Sequence, residues 1–274
     1  MTAGGPAGSS LTGSMRRQTL LLLITVVSAA ALARCSGPLQ SSRAKTDAVP
    51  AAAQAKLANR ATRLVRASQG ILAPVYAPLA EQIVRDLGLA DAEGIGIDLG
   101  SGAGALIIEL AKRTRLHWIN ADINPEVFPH FARLADAHGL GHRVSTICAD
   151  AQHLPFRDDY ADVIVSRGSY HFWPDRKKAF REIYRVLKPG AVAYIGRGFS
   201  RNLPVEVARR IRARQGQKMK YDREKAAAEL RKIMTDLGIR NYRTDLPKPP
   251  GGDDVNYGVW VRFRKPLAER ASRG

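Results

Sequence analysis

Three aspartates fall where a ligand with a cationic group and hydroxyls would need them. Asp98 sits in Gly94-Ile95-Gly96-Ile97-Asp98-Leu99-Gly100-Ser101-Gly102-Ala103-Gly104. There an apolar strand pattern runs into a glycine-rich turn, and a helical pattern follows at once. Glycines let the chain turn tightly and let a ligand approach the backbone, and the next helix offers free N–H groups. Gly100, Gly102 and Ala105 also satisfy the spacing of a dinucleotide-binding turn. A carboxylate just before the turn suits an ammonium and repels a pyrophosphate. Asp122 ends a second apolar run, where a carboxylate can accept hydrogen bonds from both hydroxyls of a ribose. Its other use is to cap the following helix. Asp150 ends a third run, in Ala149-Asp150-Ala151-Gln152-His153-Leu154-Pro155-Phe156, where it can accept from an exocyclic amine.

A second set follows the fourth apolar run: Arg167, Ser169, Tyr170, His171, Phe172 and Trp173. His171, at its ordinary pKa, suits removal of a proton from an acidic hydroxyl or carbon. Tyr170 and His171 are the candidate catalytic residues. The packing alternative is that the three aromatic side chains fill the loop and leave His171 exposed. Cys35 and Cys148 are far apart and form neither a disulfide framework nor a zinc spacing. No metal site is read, and Cys148, in an apolar run, reads as a buried thiol.

Positioning these groups takes an alternating scaffold. Residues 51–68 and 74–87 read as helices, the second with Val75, Leu79, Ile83 and Leu87 on one stripe and Gly88 as its stop. Gly94–Leu99, His117–Ala121, Val144–Ala149, Asp162–Ser166 and Ala191–Ile195 read as strands. Helical patterns lie between them at Ala103–Arg113, Pro125–His138 and Pro174–Leu187, the last stopping at Lys188-Pro189-Gly190. Such alternation predicts a parallel sheet covered on both faces, with ligands at the carboxyl ends of its strands. Two basic helical segments follow, 204–215 and 222–237, then strands at 240–246 and 256–264 joined by the turn-rich Pro249–Asp254. The fold class is α/β: a doubly wound, mostly parallel seven-stranded sheet with a C-terminal antiparallel hairpin.

On these residues the chain resembles the class I S-adenosylmethionine-dependent methyltransferases, in their small-molecule branch. Asp98-Leu-Gly100-Ser-Gly102-Ala-Gly104 looks like the family's first motif. Asp150-Ala-Gln-His-Leu-Pro-Phe156 resembles its adenine-side motif. Tyr160-Ala-Asp162-Val-Ile-Val-Ser166 resembles its fourth strand, where Phe-Asp is more usual than Ala161-Asp162. Phe180-Arg-Glu182-Ile-Tyr-Arg185-Val-Leu-Lys188-Pro189-Gly190 is similar to the stretch before its fifth strand. The match runs over about residues 70–200. It implies S-adenosylmethionine as cofactor, with Asp98, Gly100, Ser101, Gly102 and Gly104 on the methionine part, Asp122 on the ribose and Ile123 as a further cofactor contact. Asp150 and Ala151 would bracket the adenine, and Arg167 with Gly168 would border the sulfonium. Glu182, Arg185 and Lys188 read as structural. An Asn/Asp-Pro-Pro-aromatic motif is absent, since the position reads Ser166-Arg167-Gly168-Ser169. The cysteines of arsenite methyltransferases are missing too. The acceptor expected is therefore a small molecule or lipid-like, the fourth strand resembling the quinone- and sterol-type branch. A nucleic-acid methyltransferase or binding module and an NAD(P)-dependent oxidoreductase are the alternatives.

Charge and the N-terminus bear on partners. The 274 residues carry a formal net charge of +18. Residues 201–274 hold 19 Lys and Arg against 9 Asp and Glu, whereas residues 51–150 balance. A basic region of this kind attracts an anionic membrane surface, nucleic acid or an acidic substrate, or is merely solvated. The helical stretch Pro204–Lys220 is basic and amphipathic and reads as a cover over the site or a rest for anionic headgroups. Residues 1–14 read as disordered. Met15-Arg16-Arg17 precedes the apolar run Thr19–Ala33, so residues 15–35 read as a signal-like segment or membrane anchor. Lipidation at Cys35 is a third reading, against which Arg34 speaks, and Met1 and Met15 are both candidate starts. Basic residues beyond the run favour an anchor with a cytoplasmic catalytic domain over export. Residues 36–69 form a linker and N-terminal helix, 70–266 the methyltransferase domain and 267–274 a tail.

Overall fold

The computed structural model describes residues 1, 50–215, 222–249, 251 and 254–267. The segments 1–14, 15–35 and 36–49, Cys35, most of the Pro249–Asp254 turn and nearly all of the tail thus lie essentially outside the described residues. Among the described residues no helix is long and apolar enough to cross a membrane.

Val49–Gly274 form one compact unit, which takes in the helix expected to precede the domain. In order it contains α1 (Ala51–Gln69), α2 (Ala73–Leu87), β1 (Ile95–Leu99), α3 (Ala105–Ala111) and β2 (His117–Asp122). A 3-10 turn (Pro125–Val127) leads into α4 (Phe128–Ala137), then β3 (Val144–Cys148) and β4 (Ala161–Arg167). A third such turn (Tyr170–Phe172), the second being Gly141–Arg143 before β3, precedes α5 (Arg176–Val186), β5 (Leu187–Gly198), α6 (Val205–Gln215), α7 (Arg223–Asp236), β6 (Tyr242–Asp245) and β7 (Gly258–Arg264).

The seven strands form one sheet in the order β3-β2-β1-β4-β5-β7-β6. The first five pair in parallel, while β7 pairs antiparallel with both β5 and β6. The expected hairpin is present, with its second strand inserted next to β5. Side chains alternate across the sheet, so each strand feeds two cores. Ile97, Leu99 and Ile164 pack with Phe180 of α5 and Leu230 of α7 on one face. Trp118, Val163 and Val165 pack with Ile83 of α2, Ile107 of α3 and Phe131 of α4 on the other. Gln82 pins α2 to this frame: its amide donates to the Tyr194 hydroxyl at 2.7 Å and accepts the Ser200 hydroxyl at 3.0 Å and the Arg201 N–H at 2.8 Å.

Two sequence expectations are corrected here. Lys188-Pro189-Gly190 lies inside β5 rather than in a helix stop. Pro189 has no N–H to give to the sheet, and the register between β4 and β5 slips around it, from Ala161↔Leu187 to Val163↔Val192. Cys148 is exposed, because β3 is an edge strand with a partner on one side only.

Candidate active site

The carboxyl ends of β1, β2, β3 and β4 open into a cavity of about 470 Å³. Its lining includes Asp98, Gly100, Ser101, Gly102, Asp122, Ile123, Asp150, Ala151 and Arg167, all read from the sequence as cofactor contacts. Gly104 is not in the lining. It sits at φ +74° directly before α3, and a Cβ there would lie 2.0 Å from the Phe131 ring, so it serves the turn and the packing beneath it.

The turn after β1 is held from the neighbouring strand. The Gly102 N–H donates to Asp122 Oδ2 at 2.8 Å, and Asn120 Nδ2 donates to the Gly102 carbonyl at 3.0 Å. Asp122 Oδ1 accepts the Asn124 N–H at 2.9 Å. The following 3-10 turn is capped by Asn124, whose Oδ1 accepts the Glu126 N–H at 3.2 Å. Asn120, buried on β2, escaped the sequence reading because a single amide inside an apolar run carries no periodic signal. On the other side, the Ser166 and Ser169 hydroxyls both donate to the Leu99 carbonyl at 2.8 Å. Gly100 is required there, since a Cβ would come within 2.3 Å of that of Ser169.

Asp98 is 2% exposed, and its Oδ1 has no hydrogen-bond partner among the described residues. Burial pushes its pKa up from 3.8 to about 7. The Ser101 hydroxyl draws it back, Asp122 adds to the rise and Arg167 opposes it. Asp150 behaves differently. Burial raises its pKa, but the Gln152 amides and His153 outweigh this and leave it below its ordinary value. The Gln152 N–H donates to Asp150 Oδ1 at 2.9 Å, while Gln152 Oε1 accepts the Asp175 N–H at 2.9 Å, tying the end of β3 to the start of α5.

The substrate-side expectation is corrected. Arg167, Ser169, Phe172 and Trp173 line the cavity, whereas Tyr170 and His171 do not. Residues 170–172 form one 3-10 turn, which spaces successive side chains by about 120°, so Phe172 faces the mouth. Tyr170 turns into the core at 2% exposure. Burial, with Arg197 and Arg176 nearby, pulls the His171 pKa from 6.5 to about 4. It is a neutral imidazole at neutral pH and a weak base.

Among the described residues the cover over the cavity is α1, and those of the basic segment after β5 take no part in it. Arg60, Leu64, Ala67 and Ser68 of α1 join the lining, with Leu72 and Tyr76 following. Leu64 Cδ1 lies 3.7 Å from where a Gly102 Cβ would stand, and Asn124 Nδ2 donates to the Leu57 carbonyl at 3.0 Å. No described residue of α6 lines the cavity; Ala208 and Ile211 pack on Val75, Phe199 and Tyr257 instead. Several C-terminal basic groups are engaged internally: Arg201 with Asp86, Arg262 with Asp86 and Asp245, and Lys265 with Asp159. Glu182, Arg185 and Lys188 are structural. Arg185 pairs with Glu182 and Asp158 and donates to the Phe156 carbonyl at 2.8 Å, and Lys188 holds Asp162 at 2.7 Å.

Comparison with known proteins agrees with this geometry. Residues 97–195 match the family model described as a methyltransferase domain. A crystal structure described as that of an S-adenosyl-L-methionine-dependent methyltransferase from Methanococcus maripaludis is 30% identical. It superposes with a TM-score of 0.67 over 78% of this chain and 95% of its own. An uncharacterised protein of Mycobacterium tuberculosis is 35% identical over 122 residues, which is 42% of this chain and 43% of the relative. The 2-methyl-6-phytyl-1,4-hydroquinone methyltransferase of Arabidopsis thaliana is 36% identical over 97 residues, 35% of this chain and 28% of the relative. The chain thus spans less than half the length of these two curated relatives.

Proposed function

The chain belongs to the class I S-adenosylmethionine-dependent methyltransferases, and from that premise we propose that it moves a methyl group from S-adenosylmethionine to a small-molecule or lipid-like acceptor. The observation that carries this reading is Asp98, a buried carboxylate with an unpartnered oxygen beside an open glycine turn. An ammonium group supplies the missing partner. A pyrophosphate would meet Asp98 as a like charge, which disfavours the dinucleotide alternative.

In this reading Asp98 and the backbone of the Gly100–Gly104 turn hold the methionine part. Asp122 takes the ribose with its remaining lone pairs, since each of its oxygens already accepts one backbone N–H. Asp150 and Ala151 flank the adenine, with Ile123 beside it. When bound, the donor supplies a methyl already activated by its sulfonium. The protein then has to hold donor and acceptor in line and exclude water. Leu64 of α1 and Phe172 and Trp173 of the loop after β4 are placed to close the cavity against water. No strong base is needed, and His171 supplies none.

The mouth of the cavity supports the acceptor class. Phe172, in the lining after β4, is 65% exposed. Exposed apolar side chains at a pocket rim favour an acceptor with an apolar body. The Arabidopsis relative is named for a phytyl hydroquinone. Residues 15–35 are read as an anchor that keeps this domain cytoplasmic, which membrane fractionation with alkaline extraction of the full chain tests.

The deciding experiment is calorimetric titration of S-adenosylmethionine, S-adenosylhomocysteine and NAD into the full chain and its Asp98→Ala variant. Micromolar binding of the first two, lost in the variant and without NAD binding, is expected. NAD binding without S-adenosylmethionine binding would sink the reading.

A further inference from the structure

The cavity changes sign across the sheet. Along the neighbouring strands β3, β2, β1 and β4, Asp150 follows the first, Asp122 closes the second, Asp98 sits in the third and Arg167 closes the fourth. Three carboxylates line one side, and a guanidinium stands on the first strand beyond them. Arg60 of α1 is the other arginine in the lining. Both guanidinium groups rest on aromatic faces: Arg167 lies 5.3 Å from the Tyr76 ring centroid and Arg60 5.9 Å from that of Phe172. Neither forms an ion pair among the described residues, whereas Arg113, Arg185, Arg201 and Arg262 all do. Nε of Arg167 is buried without a hydrogen-bond partner among the described residues. A ring face orients a guanidinium and leaves its in-plane donors free. Arg167 as a whole is half-buried in the cavity lining, so a guanidinium with no ion-pair partner among the described residues stands within reach of a ligand anion there.

We propose that Arg167, assisted by Arg60 at the mouth, holds an oxyanion of the methyl acceptor, which is therefore an amphipathic acid carrying a carboxylate or a phosphate ester. This rests on the methyl-transfer reading above. The donor's ammonium, ribose and adenine, read across β1, β2 and β3, use the acidic side of the cavity, and its sulfonium is read as reaching the end of β4. The acceptor then approaches from β4, where Arg167 stands, with its apolar part against Phe172.

The test is calorimetry on the full chain saturated with S-adenosylhomocysteine, titrated with benzoate, benzamide and inorganic phosphate. At least one oxyanion should bind and benzamide should not. Benzoate alone identifies a carboxylate acceptor, and phosphate alone a phosphate ester. Arg167→Gln should weaken the oxyanion by about tenfold, the loss of one charge-assisted contact, and by clearly more than it weakens S-adenosylhomocysteine, whose sulfur Arg167 is read as bordering. Arg167→Lys should restore part of the loss. Arg60→Gln, on the largely exposed α1, serves should Arg167→Gln not fold, and should weaken the oxyanion about threefold. The proposal is overturned by wild-type protein that binds no oxyanion, or by arginine variants with unchanged oxyanion affinity. It is equally overturned by a matching loss of S-adenosylhomocysteine affinity, which would assign the arginines to the donor's own carboxylate. Wild-type protein that binds no S-adenosylhomocysteine would sink the methyl-transfer reading and this proposal with it.

Discussion

Asp122 and Gly102 are joined by a 2.8 Å hydrogen bond from the Gly102 N–H to the carboxylate, so the end of β2 fixes the turn that follows β1. The same carboxylate holds the Asn124 N–H. One side chain therefore sets the shape of two loops that border the cavity.

Removing it should cost both stability and ligand. Asp122→Ala leaves two backbone N–H groups unmatched, each worth roughly 1–3 kcal/mol when buried. Denaturant unfolding should show a loss of roughly 2–6 kcal/mol for the two together, and S-adenosylhomocysteine affinity should fall by at least about tenfold. Unchanged stability with lost binding would mean that the carboxylate serves the ligand alone.

Asp98 should make donor binding pH-dependent. Its folded pKa of about 7 lies above the ordinary 3.8, so the ligand-free folded protein holds this proton more tightly than the unfolded chain does. That contribution to stability is fully present below about pH 4 and is lost as the pH rises through about 7. A cationic ligand needs the ionised form. Affinity for S-adenosylhomocysteine should therefore drop by about tenfold per pH unit below 7 and level off above it, with a proton released on binding. Calorimetry in buffers of differing ionisation enthalpy reads both, and Asp98→Asn should flatten the profile.

Two glycines should separate packing from binding. At Gly104 a Cβ meets the Phe131 ring at 2.0 Å, so Gly104→Ala should destabilise the fold by about 1–3 kcal/mol. At Gly168 a Cβ meets nothing within 4 Å, although φ is +76°. Gly168→Ala should therefore cost only the left-handed backbone penalty of about 1–2 kcal/mol while intruding on the cavity it lines. A thermal shift for the first and a binding defect for the second are the expected pair.

His171 should titrate near pH 4. NMR of the ring resonances in the full chain reads this directly, and His171→Gln identifies the signal. Titration near 6.5 instead would mean an exposed ring. Because the side chain lies outside the cavity lining, the same variant should leave S-adenosylhomocysteine affinity within about twofold.

The features legible in sequence were those with local causes. Apolar runs bounded by glycine and proline marked the strands, and the change of pattern after the fifth run marked the hairpin. The carboxylates of Asp98, Asp122 and Asp150 were legible because in a parallel sheet the ends of successive strands open on one edge, so equivalent positions converge. The aspartate, glycine turn and helix order of residues 98–105 identified the family on the same ground.

Other features depended on which distant surfaces met. α1 has an amphipathic pattern compatible with a free helix, and only its packing beside Asn124 and Gly102 made it the cover of the cavity. Tyr76 lies off the apolar stripe of α2, and its place under Arg167 follows from how α2 crosses the end of β4. Tyr170, His171 and Phe172 are equivalent in sequence, and a single 3-10 turn sent one to the core, one aside and one to the mouth. The bulge at Pro189 and the exposure of Cys148 were decided by neighbouring strands, or by the lack of one. Sequence determined the half of the cavity at the ends of β1, β2 and β3, because that half is built from backbone turns and strand ends. The tertiary structure decided the half beside the end of β4 and α1, because its side chains are oriented by contacts between elements far apart in the chain.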